Sequence, residues 1–188
     1  MNTVANAHPM SRLSTGKVAL FIILGSESVF FATLLVAYAA LRNQSNWPMQ
    51  HSLTRLVIPA INTLILLISV LPAWRATISI REDNKSASQI SQVITLIIGL
   101  IFVTGQVYEF KHAGLHINDQ AFGGVFFTLM GFHALHVLAG ITFIVINIVR
   151  THLGDFTSRH FDPIELGTWF WYYVLAVWVI LFVALYLI

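Results

Sequence analysis

Cysteine is absent from the sequence, and with it go disulfides, thiolate zinc sites and iron–sulfur clusters. Charge is scarce as well. Asp, Glu, Lys and Arg make up only 10% of the 188 residues, where a soluble domain carries about a quarter. With 57% of the residues hydrophobic, the solvent this chain is built for is lipid. Internal repeats and low-complexity tracts are also missing, so the repeat symmetry of many transporters has no counterpart here. The formal net charge of +2 is scattered over polar segments, which leaves no basic face for nucleic acid.

What is present is a series of apolar runs, at about 17–41, 56–75, 90–110, 122–149 and 166–188, divided by polar segments. A spanning helix takes about 20 residues, so five of them use most of the chain and leave room only for short loops. The expected fold is all-α: an integral membrane bundle of five transmembrane helices over 17–188, preceded by a polar tail over 1–16. The first run lacks a small-residue cleavage site and is expected to remain as a signal anchor. Arg12, Lys17, Arg75, Arg81, Lys85, Arg150 and Arg159 fall on the N-terminal side of the bundle, against Arg42, Arg55 and Lys111 on the other. That bias predicts a cytoplasmic N-terminus and a C-terminus outside. Trp47, Trp74 and Trp169 lie near span ends, where indoles anchor at the headgroups.

Within the spans, ionisable groups need a reason, because a carboxylate at mid-helix costs about 2.5–3.5 kcal/mol even on a lenient scale. Glu27 lies ten residues past Lys17, about 15 Å along the axis. His133 and His136 lie at a comparable depth in the fourth span, and together with Gly140 they follow the i, i+3, i+7 spacing of one helix face. Gly131, Ala134, Ala139 and Gly140 allow close helix approach and make this span central to the bundle. Glu27, His133 and His136 are therefore the candidate buried polar node. It would serve as a contact fixing helix register, as a proton-accessible group, or as a lipid headgroup site. Glu109, with Gln106 one turn earlier, is a secondary polar pair near Lys111. Pro59, Asn62, Ser69 and Pro72 interrupt the second span. His8, His51, His112, His116, His152 and His160 show no metal-ligand spacing on a shared element, so they are expected to be solvated loop residues and no metal site is expected. The last run is aromatic from Trp169 to Tyr173, and its deeper Trp178 calls for a partner helix or lipid.

Several of these residues fall into a known pattern. Gly25-Ser26-Glu27 with Phe30-Phe31, Asn62-Thr63 with Leu66-Leu67 and Ser69, and Gly99 to Phe102 with Gln106 and Glu109 occur in this order. They are followed by Gly131-Phe132-His133-Ala134-Leu135-His136-Val137 with Gly140. Together they resemble subunit III of the haem-copper oxidases, in the short five-helix form of bacterial cytochrome c and quinol oxidases. The resemblance runs from Lys17 to Ile188. It departs from the family in the last helix, where Tyr172 and Leu175 stand at positions usually held by a histidine and an aspartate, and at Met130 and Ala134, which replace a threonine and a glycine.

The resemblance implies a non-catalytic subunit of a respiratory terminal oxidase in the bacterial cytoplasmic (inner) membrane. Such a subunit holds no cofactor of its own. Haem and copper reside in the partner catalytic subunit I, with subunit II and small subunits beside it. The chain would retain phospholipid, stabilise its partner and support proton uptake. An accessory membrane protein of a nitric oxide reductase shares this fold, and the altered last helix keeps that alternative open. A haem b membrane anchor would need axial ligands on facing helices, whereas His133 and His136 share one. A small ion transporter would use Glu27 as its ion site.

Overall fold

The computed structural model describes residues 14–44, 53–112 and 120–187. Among them lie five helices long and apolar enough to cross a membrane, Thr15–Leu41, Leu56–Arg81, Lys85–Lys111, Gly123–His152 and Asp162–Leu187. An isolated bridge between Thr157 and His160 is the one β feature among the described residues. The chain is a multi-pass membrane bundle. Expectations for residues 1–13, His51, His116, Trp47 and the side chains of Arg42, Arg55 and His112 lie outside the described residues or their described side chains.

The elements are α1 (Thr15–Gln44), α2 (Leu53–Ile68), α3 (Val70–Arg81), α4 (Lys85–His112), α5 (Gln120–His152) and α6 (Asp162–Phe182), the last continued by a π-helical turn, Val183–Leu187. Most helices run past the apolar stretches that signal them. The second span reaches Arg81 rather than residue 75, the third begins at Lys85 and the last at Asp162. A 27-residue span such as Lys85–Lys111 is about 40 Å long at 1.5 Å per residue, which covers the headgroups as well as the hydrocarbon. Charged end turns therefore remain helical while sitting in the polar layer.

The second span is two helices because Pro72 has no N–H to return to the preceding turn. At the break the Ser69 N–H is shared between the carbonyls of Ile65 and Leu66, and its hydroxyl donates to Leu66 O at 2.5 Å. The turn into α4 is tight. Asp83 adopts a left-handed conformation (φ 60°), and the Asn84 side chain caps α4 by accepting the Ala87 N–H at 3.0 Å. Helix α6 opens with Pro163 in its first turn beside Asp162 and Glu165, a composition suited to a helix N-terminus.

Helices α4, α5 and α6 form the middle of the bundle, with α2 and α3 packed on α4 and α6, and α1 on α5 and α6. Two buried tryptophans of α6 hold the middle together. Trp171 lies against Gly99 of α4 and Gly140 of α5, where added Cβ atoms would come within 2.8 and 2.9 Å of the indole. Its Nε1 donates to Ser69 Oγ at 2.9 Å. One level on, Trp178 Nε1 donates to Thr63 Oγ1 at 2.9 Å, so the helix partner of Trp178 lies within the chain itself. Each indole places its ring in the core and gives its N–H to a hydroxyl on the broken span.

Candidate functional site

The polar node begins with α5. Because α5 lies between α1 on one flank and α4 and α6 on the other, side chains three residues apart, which diverge by about 60° around the axis, meet different neighbours. His136 turns to α1, and its Nε2 lies 3.2 Å from Glu27 Oε2. Its Nδ1 lies 2.7 Å from Phe132 O, one turn back. A carbonyl oxygen only accepts, so Nδ1 carries hydrogen and Nε2 is the nitrogen offered to the carboxyl group. The contact at 3.2 Å is then a hydrogen bond when a proton lies between the two groups, on Nε2 or on the carboxyl oxygen.

Aromatic rings surround this pair. Phe31 of α1 meets the His136 ring edge-on at 5.1 Å and Phe170 of α6 stacks on it at 6.4 Å, while Phe30 and Phe132 pack at 4.7 Å nearby. The side chains are 34% exposed for Glu27 and 16% for His136, so the crevice opens toward the surroundings along α1. Tyr173 of α6 faces Ser28 and Glu27 from the third side.

His133 meets different neighbours. It is buried, stacks on Trp178 at 5.1 Å and meets Phe102 of α4 edge-on at 6.3 Å. Neither ring nitrogen has a hydrogen-bond partner among the described residues. The structure thus brings Glu27 and His136 together and sets His133, about 60° round α5, in an aromatic cage of Trp178 and Phe102.

Near the far end of the bundle, Gln106 Nε2 donates to Glu109 Oε2 at 3.0 Å, and the Tyr186 hydroxyl donates to Glu109 Oε1. The carboxylate faces inward, and Tyr186 is a partner that sequence reasoning did not reach. It sits on the π-helical turn, whose wider winding re-aims side chains in a way no α-helical periodicity anticipates. A second missed group closes the N-terminal end. Glu165 is buried, accepts a hydrogen bond from Arg81 Nη2 at 2.7 Å and forms an ion pair with Lys17 Nζ at 2.8 Å, tying α1, α3 and α6. The signal for it was an acid in the first turn of the last helix, on the same side as Lys17 and Arg81.

Among the described residues no three His, Asp or Glu side chains converge in a group able to hold a metal ion. Tyr172 and Leu175, at the altered positions of the last helix, are partly buried and pack against the core.

The sequence matches a known family along nearly its whole length. The family description "Cytochrome c oxidase subunit III" covers residues 2–188. The chain belongs to the cytochrome c oxidase subunit III family. A cytochrome c oxidase subunit 3 from Thermostichus vulcanus is 32% identical over 98% of this chain and 90% of its own length. The human protein of that name is 32% identical over 90% of this chain and 68% of its own length. That of Ornithorhynchus anatinus is 38% identical over 71% of this chain, which spans about half (51%) of that relative. As a member of the subunit III family, the chain carries its carboxyl–imidazole pair between α1 and α5, with hydrophobic or phenolic side chains at positions 172 and 175.

Proposed function

We propose that this chain is a non-catalytic accessory subunit of an aerobic respiratory terminal oxidase, a multi-pass protein of the bacterial cytoplasmic membrane with its N-terminus inside and its C-terminus outside. It works beside a catalytic subunit I that carries haem and copper, with subunit II and small subunits in the same complex. The observation that carries this function is the family match over residues 2–188, with relatives named cytochrome c oxidase subunit 3 at 32% identity over nearly the full chain. The same match weighs against an accessory protein of a nitric oxide reductase. A haem b anchor is also disfavoured, because His133 and His136 share one helix and meet different neighbours, Trp178 and Glu27.

The chain acts indirectly. It stabilises the catalytic subunit, retains lipid and supports proton uptake, the last through the Glu27–His136 pair, whose open crevice lets a proton exchange with the surroundings. The residues 17–188 act as one transmembrane domain. Purified oxidase with and without this chain provides the test: the complete complex is expected to sustain turnover longer. Equal initial rate and equal lifetime during turnover in the two preparations would overturn the proposed function.

A further inference from the structure

A cavity of about 20 Å³ lies between α3, α4, α5 and α6, toward the end of the bundle that holds Lys17, Arg81 and Glu165. Its walls are largely hydrocarbon, with Ala73 and Trp171 among them, but Gln92, Thr95, Asn147 and Thr168 face it as well. Gln92 is 4% exposed, and its Oε1 has no hydrogen-bond partner among the described residues. It lies seven residues past Lys85, where the span begins, about 10 Å along the helix axis. At that depth the hydrocarbon outside the bundle offers nothing to satisfy it.

The Gln92 amide cannot turn round to relieve its oxygen. Nε2 donates to Ser88 Oγ and to Thr151 Oγ1, each at 3.2 Å. Both hydroxyls have spent their own hydrogens, Ser88 on Ala76 O at 2.8 Å and Thr151 on Asn147 O at 2.7 Å. They are left with lone pairs only, so the nitrogen must face them. Neither Ser88 nor Thr151 belongs to the cavity wall, and the oxygen is the end of the amide turned toward the cavity. The remaining hydroxyls there are committed too: Thr95 donates to Ser91 O and Thr168 to Ile164 O, both at 2.9 Å. Asn147 Nδ2 gives one hydrogen to Pro163 O at 3.0 Å and carries a second. Gly167 leaves that nitrogen its room, since a Cβ there would come within 2.8 Å of it. One small space is thus bordered by a spare acceptor on Gln92, a spare donor on Asn147 and the lone pairs of Thr95.

We propose that this cavity binds one water molecule, which donates to Gln92 Oε1 and to the Thr95 oxygen and accepts the second N–H of Asn147. A buried water makes about three hydrogen bonds to groups otherwise unpaired and needs about 10–15 Å³, and this cavity has room for one. Larger ligands are excluded by size. A bare cation is disfavoured because no carboxylate lines the wall. The water ties α4 to α5 at the level where Trp171 fills the rest of the gap. It belongs to the fold of the chain and stands apart from the oxidase role proposed above.

The test is a crystal structure of the full-length protein, grown in lipid and detailed enough to show ordered water. A single peak within hydrogen-bond distance of Gln92 Oε1, Thr95 Oγ1 and Asn147 Nδ2 is expected. It should vanish in Gln92→Met, which keeps the length of the side chain and removes the acceptor. A cavity without density in the native protein, or a peak that persists in Gln92→Met, overturns the site. Thermal melting of the full-length protein in lipid nanodiscs gives a second measurement, using Thr95→Leu to fill the cavity with hydrocarbon. In the native background this expels the water and strands the Gln92 oxygen, so Tm should fall by several degrees. In the Gln92→Met background no oxygen is stranded, and Tm should hold or rise as a cavity is filled. A dry void would instead be filled with the same gain in both backgrounds, so equal shifts of Tm overturn the water site.

Discussion

At Trp171 the indole touches the backbones of two other helices, because Gly99 and Gly140 present no side chain to it. Gly99→Ala and Gly140→Ala should each destabilise the bundle by about 1–3 kcal/mol through overpacking. Gly25 has nothing within 4 Å of an added Cβ, so Gly25→Ala should be neutral or stabilising by up to about 1 kcal/mol, the helix-propensity gain. Thermal melting of the detergent-solubilised protein, followed by size-exclusion chromatography, ranks the three. The same scale governs the polar pair. Glu27→Ala or His136→Ala removes one interhelical hydrogen bond and should cost about 0.6–2 kcal/mol. Glu27→Gln should keep most of that stability, since the amide can donate to His136 Nε2, while losing the titratable proton. Stability alongside sustained turnover separates the two roles: a Glu27→Gln complex that melts and turns over like the native one would remove proton linkage from this pair. His133 shared the spacing and depth of His136, and nothing in the sequence told their directions apart. That difference comes from which helices flank α5.

Helix ends and breaks show a similar division at the scale of elements. Pro59, Asn62, Ser69 and Pro72 marked the second span as interrupted, and the structure breaks it at Ser69. The span ends ran longer than their apolar runs because helical hydrogen bonding continues through the headgroup layer. Glu165 decides how these ends are joined. With Lys17 and Arg81 on its two oxygens, it fastens the start of α1, whose body is largely exposed, to the ends of α3 and α6. Lys17→Ala should loosen that end, leaving Arg81 as the partner of Glu165, at a cost of about 1–3 kcal/mol for a buried carboxylate left with one of its two cations. Hydrogen exchange of residues 15–24 reads it directly: faster exchange there with unchanged exchange in α4 is the expected result, and uniform protection would show that the ion pair does not hold α1.

For the molecule as a whole, the cysteine-free sequence offers a direct probe of orientation. Single cysteines at Glu82, in the turn between α3 and α4, and at Ser45, between the first and second spans, report the two sides through a membrane-impermeant maleimide. Glu82→Cys should be labelled only after permeabilisation and Ser45→Cys in intact spheroplasts. The reverse pattern would invert the topology that the Lys and Arg bias predicts. Either way Lys17, Arg81 and Glu165 lie together at one end of the bundle, as an up-and-down bundle with helices of this length requires.

By itself the sequence determined that the chain lives in lipid, that it crosses as five helices, and that Glu27, His133 and His136 sit at one depth. Composition and run length report directly on the solvent, and axial rise converts residue number into depth. Azimuth was beyond its reach. Which way each buried side chain turns depends on the neighbours its helix acquires, and that choice was made by packing: Trp171 seated against two glycines, the π turn aiming Tyr186 at Glu109, and α5 lodged between α1 and α4. The pairing of His136 with Glu27, the aromatic cage of His133 and the buried amide of Asn62 against Gly105 are products of that packing, so only the tertiary structure decided them.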